Sequence, residues 1–401
     1  MTLLAEVADI QTGPFGSQLH KKDYVASGRP IVTVEHLGKR AFTRQNLPFV
    51  SEFDAERLKK YQMKHGDVIF SRVGSVDRCS YAEKRNEGWL FSGRCLRIRP
   101  KKSIDPEFLY YYLSSKAIKD FVRNIAVGAT MPSINTTLMG EIPIPAISLD
   151  RQRAIACIMS SLDIKLQANA KLNGYLEELL LVQFAALTPN ENWTEGRADS
   201  YFEIGIGKTP PRKEPDWFSA IKADNHVWLS IKDMGEAGVY ALDSSEYLTD
   251  DAVNTKNIRK APAGSVLLSF KLTVGRVKIA GCGMTTNEAI ACFASGDKRK
   301  LAYAYPFLRS FDYGKLGSTS SIATAINSKT VKAMPFAMPD DLELEEFYAA
   351  TKPIYAQMLA VAKESRCLEQ LRDALLPKLM SGEIDVSKVD FAKLNSHLVD
   401  C

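Results

Sequence analysis

Two long stretches of the chain carry apolar residues at the three-and-four spacing of a packed helix. In the first, Ile155, Ile158, Leu162, Leu172, Leu176 and Leu179 keep that interval, interrupted by the polar Lys165 and Asn169. In the second, Phe347, Ile354, Val361, Leu368 and Leu375 recur every seven residues, flanked by Leu344, Met358 and Leu371. The pattern predicts helices over 149–187 and from about Leu342 to Met380, each about 50 Å long at 1.5 Å per residue. Ser148 or Asp150 is the expected N-cap of the first, Gly382 the stop signal of the second, and Pro353 should kink or break it. Helices of this length exceed what a small domain absorbs, so they are expected to pair with each other, antiparallel. The seam is predicted at Ile155, Leu162, Asn169 and Leu176 against Phe347, Ile354, Val361 and Leu368, with Asn169 and Lys165 either an imperfection of that core or the residues that fix its register.

Outside the helices, short runs of β-branched and aromatic residues alternate with Gly, Pro and Asn turn signals. Strands are predicted at Pro30–Glu35, Asp67–Ser71, Arg94–Arg99, Val227–Ile231, Ser265–Phe270, Arg276–Ala280 and Ala289–Phe293. Short helices are predicted at Pro106–Ser114 and Ala302–Phe311. The chain also repeats itself. His65-Gly-Asp-Val-Ile-Phe-Ser71 aligns without a gap with Ala263-Gly-Ser-Val-Leu-Leu-Ser269, and Arg78 falls on Arg276. Further on, Ile134-Asn135 matches Ile326-Asn327 and Pro143 matches Pro335. The expected architecture is α+β with a pseudo-two-fold internal repeat. Two similar β-rich globules occupy 1–148 and 188–340. Spacer helices occupy 149–187 and 341–384, forming an antiparallel coiled coil, and 385–401 is a tail.

Charge follows the repeat. The net +5 over 401 residues says little as a total. Residues 1–148 hold 22 basic and 15 acidic side chains and 188–340 hold 19 and 17, while 149–187 are balanced and 341–401 are net acidic. The positive balance lies in the globules, as expected for an anionic partner. Seven scattered cysteines without a Cys-x-x-Cys pair fit reduced thiols. Glu6 and Asp9 stand where a signal peptide needs an apolar run, and the most apolar helix, 176–187, is too short and too charged to span a bilayer. A cytoplasmic protein without a membrane partner is expected.

Several motifs that resemble chemistry fail on mechanism. Gly207-Lys208-Thr209 lacks the preceding glycine of a phosphate loop, position 202 being Phe, and Pro210-Pro211 prevent a helix from following. Gly205-Ile-Gly207 mimics the glycine-rich turn of a methyltransferase, yet no Asn-Pro-Pro-Tyr or Asp-Pro-Pro-Tyr follows to hold a flipped base. It reads as the turn opening the second globule, matching Gly13–Ser17 in the first. The five histidines have no metal-ligand spacing. Asp340-Asp-Leu-Glu343-Leu-Glu345 reads as an acidic first helical turn. No nucleophile–base pair is visible, so no catalytic residue is assigned.

These features together resemble the specificity (S) subunit of Type I restriction–modification systems. The likeness rests on the Gly13-Pro14-Phe15-Gly16-Ser17 turn, the Gly-Asp-Val-Ile-Phe-Ser block and Gly128-Ala-Thr-Met-Pro-Ser-Ile-Asn135. It extends to Ile142-Pro-Ile-Pro145, a helix with Gln152 and Leu162-Asp163-Ile-Lys165, and the closing Leu371-Arg-Asp-Ala-Leu-Leu-Pro-Lys-Leu-Met-Ser-Gly-Glu-Ile384. The second half departs from it, with Asp340-Asp-Leu-Glu where the first has Gln152 and no Pro in Gly317-Ser-Thr-Ser-Ser-Ile322. The resemblance implies that each globule is a target-recognition domain reading one half of a bipartite, asymmetric site in double-stranded DNA. The helices would set the spacing and dock two methyltransferase subunits, which restriction subunits join. It implies no cofactor in this chain: S-adenosylmethionine would belong to the methyltransferase, ATP and Mg to the restriction subunit. The DNA-binding candidates are Phe15, Ser17, Gln18, Lys21, Lys22, Arg72, Arg78 and Arg94 in the first globule. In the second they are Lys208, Thr209, Arg212, Lys271 and Arg276. Arginine beyond a strand end suits guanine, and Gln18 suits adenine. The alternatives are a modification-only or Type IIB-like specificity subunit, a catalytic DNA methyltransferase, and a coiled-coil scaffold without nucleic acid.

Overall fold

The duplicated pattern corresponds to a duplicated fold in the computed structural model, which describes residues 2–16, 18–316 and 326–386. Ser17, the Gly317–Ile322 loop and the tail beyond residue 386 lie outside the described residues, as does the side chain of Lys21. The chain divides into two units, one of residues 2–165 with 368–386 and the other of 166–367. Both long helices, Leu149–Ala185 and Asp341–Ser381, are continuous through that division.

The first unit closes on itself. Strand Thr2–Leu3 pairs antiparallel with Pro143–Ile144. After the helical turn Leu4–Val7, strand Ala8–Thr12 begins a four-stranded sheet ordered Ala8–Thr12, Cys95–Pro100, Val68–Ser71, Cys79–Tyr81. Val68–Ser71 is buried at every position because both faces of the sheet are covered. Period-two alternation sorts its side chains. Val68 and Phe70 join Leu96, Ile98, Phe108, Leu109, Ile155 and Met159 in one core, while Ile69 points with Cys95 into a second core of Ile31, Val32 and Phe91. That second core belongs to a smaller sheet of Tyr24–Val25, Phe49–Val50, Arg29–Val32 and Leu90–Phe91.

The second unit repeats each step. Thr194–Arg197 pairs with Pro335–Met338, Ala198–Tyr201 makes the turn, and Glu203–Ile206 opens a sheet ordered Glu203–Ile206, Ile290–Ala294, Val266–Ser269, Val277–Ala280, Tyr240–Ala241. The last strand, parallel to its neighbour, is an addition. Val266 and Leu268 face one core and Leu267 another. The matched motifs have matched roles. Gly66 and Gly264 take φ of +91° and +87° immediately before the buried strand, a conformation that favours glycine. Asn135 caps Thr136–Gly140 through Leu138 N–H at 2.8 Å, and Asn327 caps Ser328–Lys332 through Lys329 N–H at 2.9 Å.

The long helices start where their caps are. Ser148 precedes Leu149 and its carbonyl accepts from Gln152 N–H at 2.9 Å. Buried Gln152 then joins helix to globule, donating to the Ile147 carbonyl and accepting from Asp105 N–H, both at 2.8 Å. Asp340 caps the second helix by accepting from Glu343 N–H at 2.9 Å, and Glu343 accepts from Asn190 and Trp193, so the acidic run is structural. Segments of the two helices run antiparallel within each unit. In the first, Asp163 accepts from Arg372 at 3.3 Å and from Tyr111 at 2.8 Å, and Arg151 lies against Gly382. In the second, Asn169 donates to Glu364 at 2.8 Å and to Ser365 at 3.2 Å, and Asn190 meets Glu343. Of the seam residues, Ile155, Asn169, Phe347, Ile354 and Val361 are buried, and Leu162, Leu176 and Leu368 are half-buried.

Two expectations need correction. The second helix is continuous through Pro353, so the short break that the proline allowed does not occur. Proline removes one backbone donor, and neighbouring Ile354, Tyr355 and Met358 are buried in the second unit's core and hold the helix in place. Leu172 and Leu179 are exposed, and Leu180 is buried instead. An ideal helix drifts relative to a seven-residue repeat, and here the globule core takes the face that carries Leu180.

Candidate nucleic-acid interface

Strand directions bring the basic candidates to one end of each main sheet. In the first unit, Thr12 lies opposite Leu96, Ser71 opposite Cys95, and Phe70 opposite Cys79. The residues just beyond these pairs, Gly13 to Phe15, Arg72, Arg78 and Arg94, therefore share that end. Gly13 and Gly93 let two backbones touch there. A Cβ on Gly13 would stand 2.2 Å from the Ser92 carbonyl oxygen, and one on Gly93 2.4 Å from that of Pro14. In the second unit Ile206 pairs with Ala291 and Ser269 with Ile290, so Lys208, Lys271 and Arg276 share the corresponding end. Gly207 is held as Gly13 is, 2.2 Å from the carbonyl oxygens of Thr286 and Asn287 on the same construction.

The turn at each sheet end is fixed by one serine. Ser71 N–H donates to the Arg78 carbonyl at 2.8 Å, and its hydroxyl accepts from Arg78 N–H at 2.9 Å. Ser269 repeats both bonds with Arg276, at 2.9 and 3.0 Å. In the first unit the 127–133 loop lies alongside. Gly74 N–H donates to the Pro132 carbonyl at 2.9 Å, and Arg94 reaches the Met131 sulfur at 3.9 Å.

The arginines differ in what already holds them. Arg72 donates to the Gly93 carbonyl at 3.2 Å and lies 5.8 Å from the ring of Phe15, which is 56% exposed. Arg78 and Arg94 are exposed. Arg276 is half-buried and donates to the Ile231 carbonyl at 2.7 Å. Lys271 is exposed, with its ammonium 5.5 Å from the Phe270 ring. Lys208 donates to the Lys256 carbonyl at 2.6 Å, and the Thr209 hydroxyl donates to Glu288.

Other candidates are drawn into protein contacts. The Gln18 amide oxygen accepts from Tyr61 at 2.7 Å and its carbonyl from Arg57 at 2.9 Å. Reading adenine needs both ends of the carboxamide, and Tyr61 occupies one. Arg212 makes a two-pronged pair with Glu246 at 2.7 and 2.9 Å and lies over Phe218 and Trp228. That guanidinium holds the Glu246 carboxyl below its ordinary range. Lys21 and Lys22 sit on the short helical turn Lys21–Asp23, with Lys22 exposed.

Residues that sequence reasoning did not select also lie at these ends. Met131 lies within a quoted motif, but its proximity to Arg94 depends on a loop crossing from residue 131 to the Arg72 turn. Leu272, at the tip of the Ser269–Arg276 turn, is 91% exposed, and its signal was the alignment with Gly74. At the first unit's sheet end, burial pushes the Cys95 thiol up to about 12. Among the described residues no group of His, Cys, Asp or Glu is placed to hold a metal, and no helix is long and apolar enough to cross a membrane.

A family model described as the Type I restriction modification DNA specificity domain matches residues 2–178. The chain is 23% identical over 389 residues to a putative type I restriction enzyme MjaX specificity subunit of Methanocaldococcus jannaschii, covering 90% of this chain and 88% of that one. It is 21% identical over 408 residues to the type I restriction enzyme HindI specificity subunit of Haemophilus influenzae, covering 81% and 88%. The fold is shared with the crystal structure of a Type-I restriction-modification system S subunit from M. genitalium, at a TM-score of 0.53, 15% identity and 94% coverage of each chain.

Proposed function

We propose that this chain is a specificity subunit of the Type I restriction–modification kind, and that its two sheet ends each read one half of a bipartite DNA sequence. The observation that carries this reading is the repeated sheet end. Arg72 and Arg78 in one unit, and Lys271 and Arg276 in the other, stand on serine-locked turns beyond equivalent strands, and Arg94 and Lys208 join them from neighbouring strand ends. Such cations neutralise phosphates, and those that reach base edges pair with guanine. With few cations at each end, DNA affinity of the isolated chain is modest and falls as salt is raised.

Methyl transfer, S-adenosylmethionine binding and ATP- and Mg-dependent cleavage belong, in this reading, to methyltransferase and restriction subunits, and this chain is the non-catalytic part. A docking face for a protein partner is supported by the first long helix. Leu172, Tyr175, Leu179 and Val182 are all exposed, at intervals that align them on one side. Methylome sequencing of cells carrying this chain with its methyltransferase tests the proposal. A single two-part motif with a fixed unspecified gap is the expected result, and methylation without sequence preference would refute it. Binding of S-adenosylmethionine to the isolated chain in a calorimeter would favour a catalytic methyltransferase instead.

A further inference from the structure

The turn between Val266–Ser269 and Val277–Ala280 holds Leu272 with φ of +63°. Bulky L residues rarely adopt this region. At the offset of 198 its counterpart is Gly74, φ +86°, the residue type that the conformation favours. The leucine at this strained position is 91% exposed and joins none of the five hydrophobic cores, so packing does not account for it. The turn is laced together rather than slack. The Ser269 hydroxyl donates to the Thr273 carbonyl, Gly275 N–H donates to the Ser269 carbonyl at 2.9 Å, and Thr273 N–H to that of Lys271 at 2.7 Å. Lys271 is exposed beside it, and residues 252–287 contain no Asp or Glu.

A laced ribbon tip that carries an apolar side chain beside an exposed lysine matches one feature of DNA. The major groove admits a two-stranded ribbon, and its one apolar base-edge group is the thymine 5-methyl. We propose that Leu272 is a specificity residue of the second unit and contacts the 5-methyl group of a thymine in that unit's half-site. The inference rests on the DNA-reading function proposed above.

The test uses the chain assembled with its methyltransferase subunits and duplexes bearing the mapped motif. Each thymine of the second half-site is replaced in turn by deoxyuridine, which removes only the methyl. At one position the wild type should bind about fourfold more weakly, the effect of one buried methyl, and L272G should show no difference between thymine and uracil there. L272G should fold, since glycine suits this φ, and its preference in the first half-site should be unchanged. The proposal is overturned by a second half-site without thymine, or by the absence of a position where wild type and L272G differ in their response to uracil. It is also overturned if L272G weakens binding equally on every sequence and abolishes unstacking of a 2-aminopurine reporter, as for a wedge between base steps, or if it weakens assembly with the methyltransferase instead. A wild-type complex with no sequence preference would refute the underlying function itself, a result distinct from these.

Discussion

A cation strengthens binding to a polyanion to the extent that its own charge is not already matched. Arg212 and Lys271, both basic candidates of the second unit, sit at opposite limits. Arg212 is paired with Glu246 through two hydrogen bonds and stacked on two aromatic rings, whereas Lys271 is exposed beside one ring. K271Q should therefore reduce the slope of log affinity against log salt by about 0.9, the effect of one lost phosphate contact. R212Q should leave the slope unchanged and lower the melting temperature by about 2–4 °C through the lost stacking and pairing. Titrations at several salt concentrations with both variants distinguish the two, and a changed slope for R212Q would mean that Arg212 leaves Glu246 to meet DNA. Sequence alone could not rank these residues. The partner of Arg212 is 34 positions away in the bend before Tyr247–Leu248, and Gln18, chosen as an adenine reader, meets Tyr61 across 43.

Equivalent strands of the two units solve one problem differently. Ser80, in Cys79–Tyr81, donates its hydroxyl to the Lys39 carbonyl at 2.6 Å. At the repeat offset stands Lys278, whose ammonium donates to the Gly238 carbonyl at 2.7 Å while 3% exposed. Burial pushes that ammonium down to about 8 from 10.5. Between those values the unfolded chain keeps a proton that the folded chain releases, so the contribution of Lys278 to stability rises with pH across this window. Urea unfolding should show the wild type gaining on K278M by on the order of 1–3 kcal/mol from pH 8 to 10.5. A constant difference would mean that the ammonium is solvated. The elements themselves were legible where the signal was local. The Val68–Ser71 and Val266–Ser269 strands and their glycines follow from the repeat, which also pairs Asn135 with Asn327 without showing that both cap helices. Two-residue strands such as Tyr24–Val25 and the parallel addition Tyr240–Ala241 are specified by neighbours distant in sequence, and carry no periodicity of their own. The outward turn of Leu172 and Leu179 has the same origin: which face of a helix is buried depends on what packs against it.

For the molecule as a whole, the two units are joined by two continuous helices, and the polar residues in those helices fix which turns meet. Asn169 meets Glu364 and Ser365 in the second unit, and Asp163 meets Arg372 in the first. A slip by one turn would leave buried Asn169 and Asp163 without these partners, which is costly in a dry seam. The pairs therefore specify register, and a change that preserves them while adding length should alter the gap between half-sites and nothing else. Four residues inserted after Asn169, with four more before Glu364, keep every such pair and add about 6 Å to each helix at 1.5 Å per residue. This is close to two base-pair steps of about 3.4 Å. Methylome sequencing with this variant should return both half-sequences unchanged and a longer gap between them. An unchanged gap would refute the idea that the helices measure it. N169L, which removes the hydrogen bonds to Glu364 and Ser365, should by contrast leave the gap unchanged in the folded complex but broaden unfolding, because the seam then tolerates more than one register.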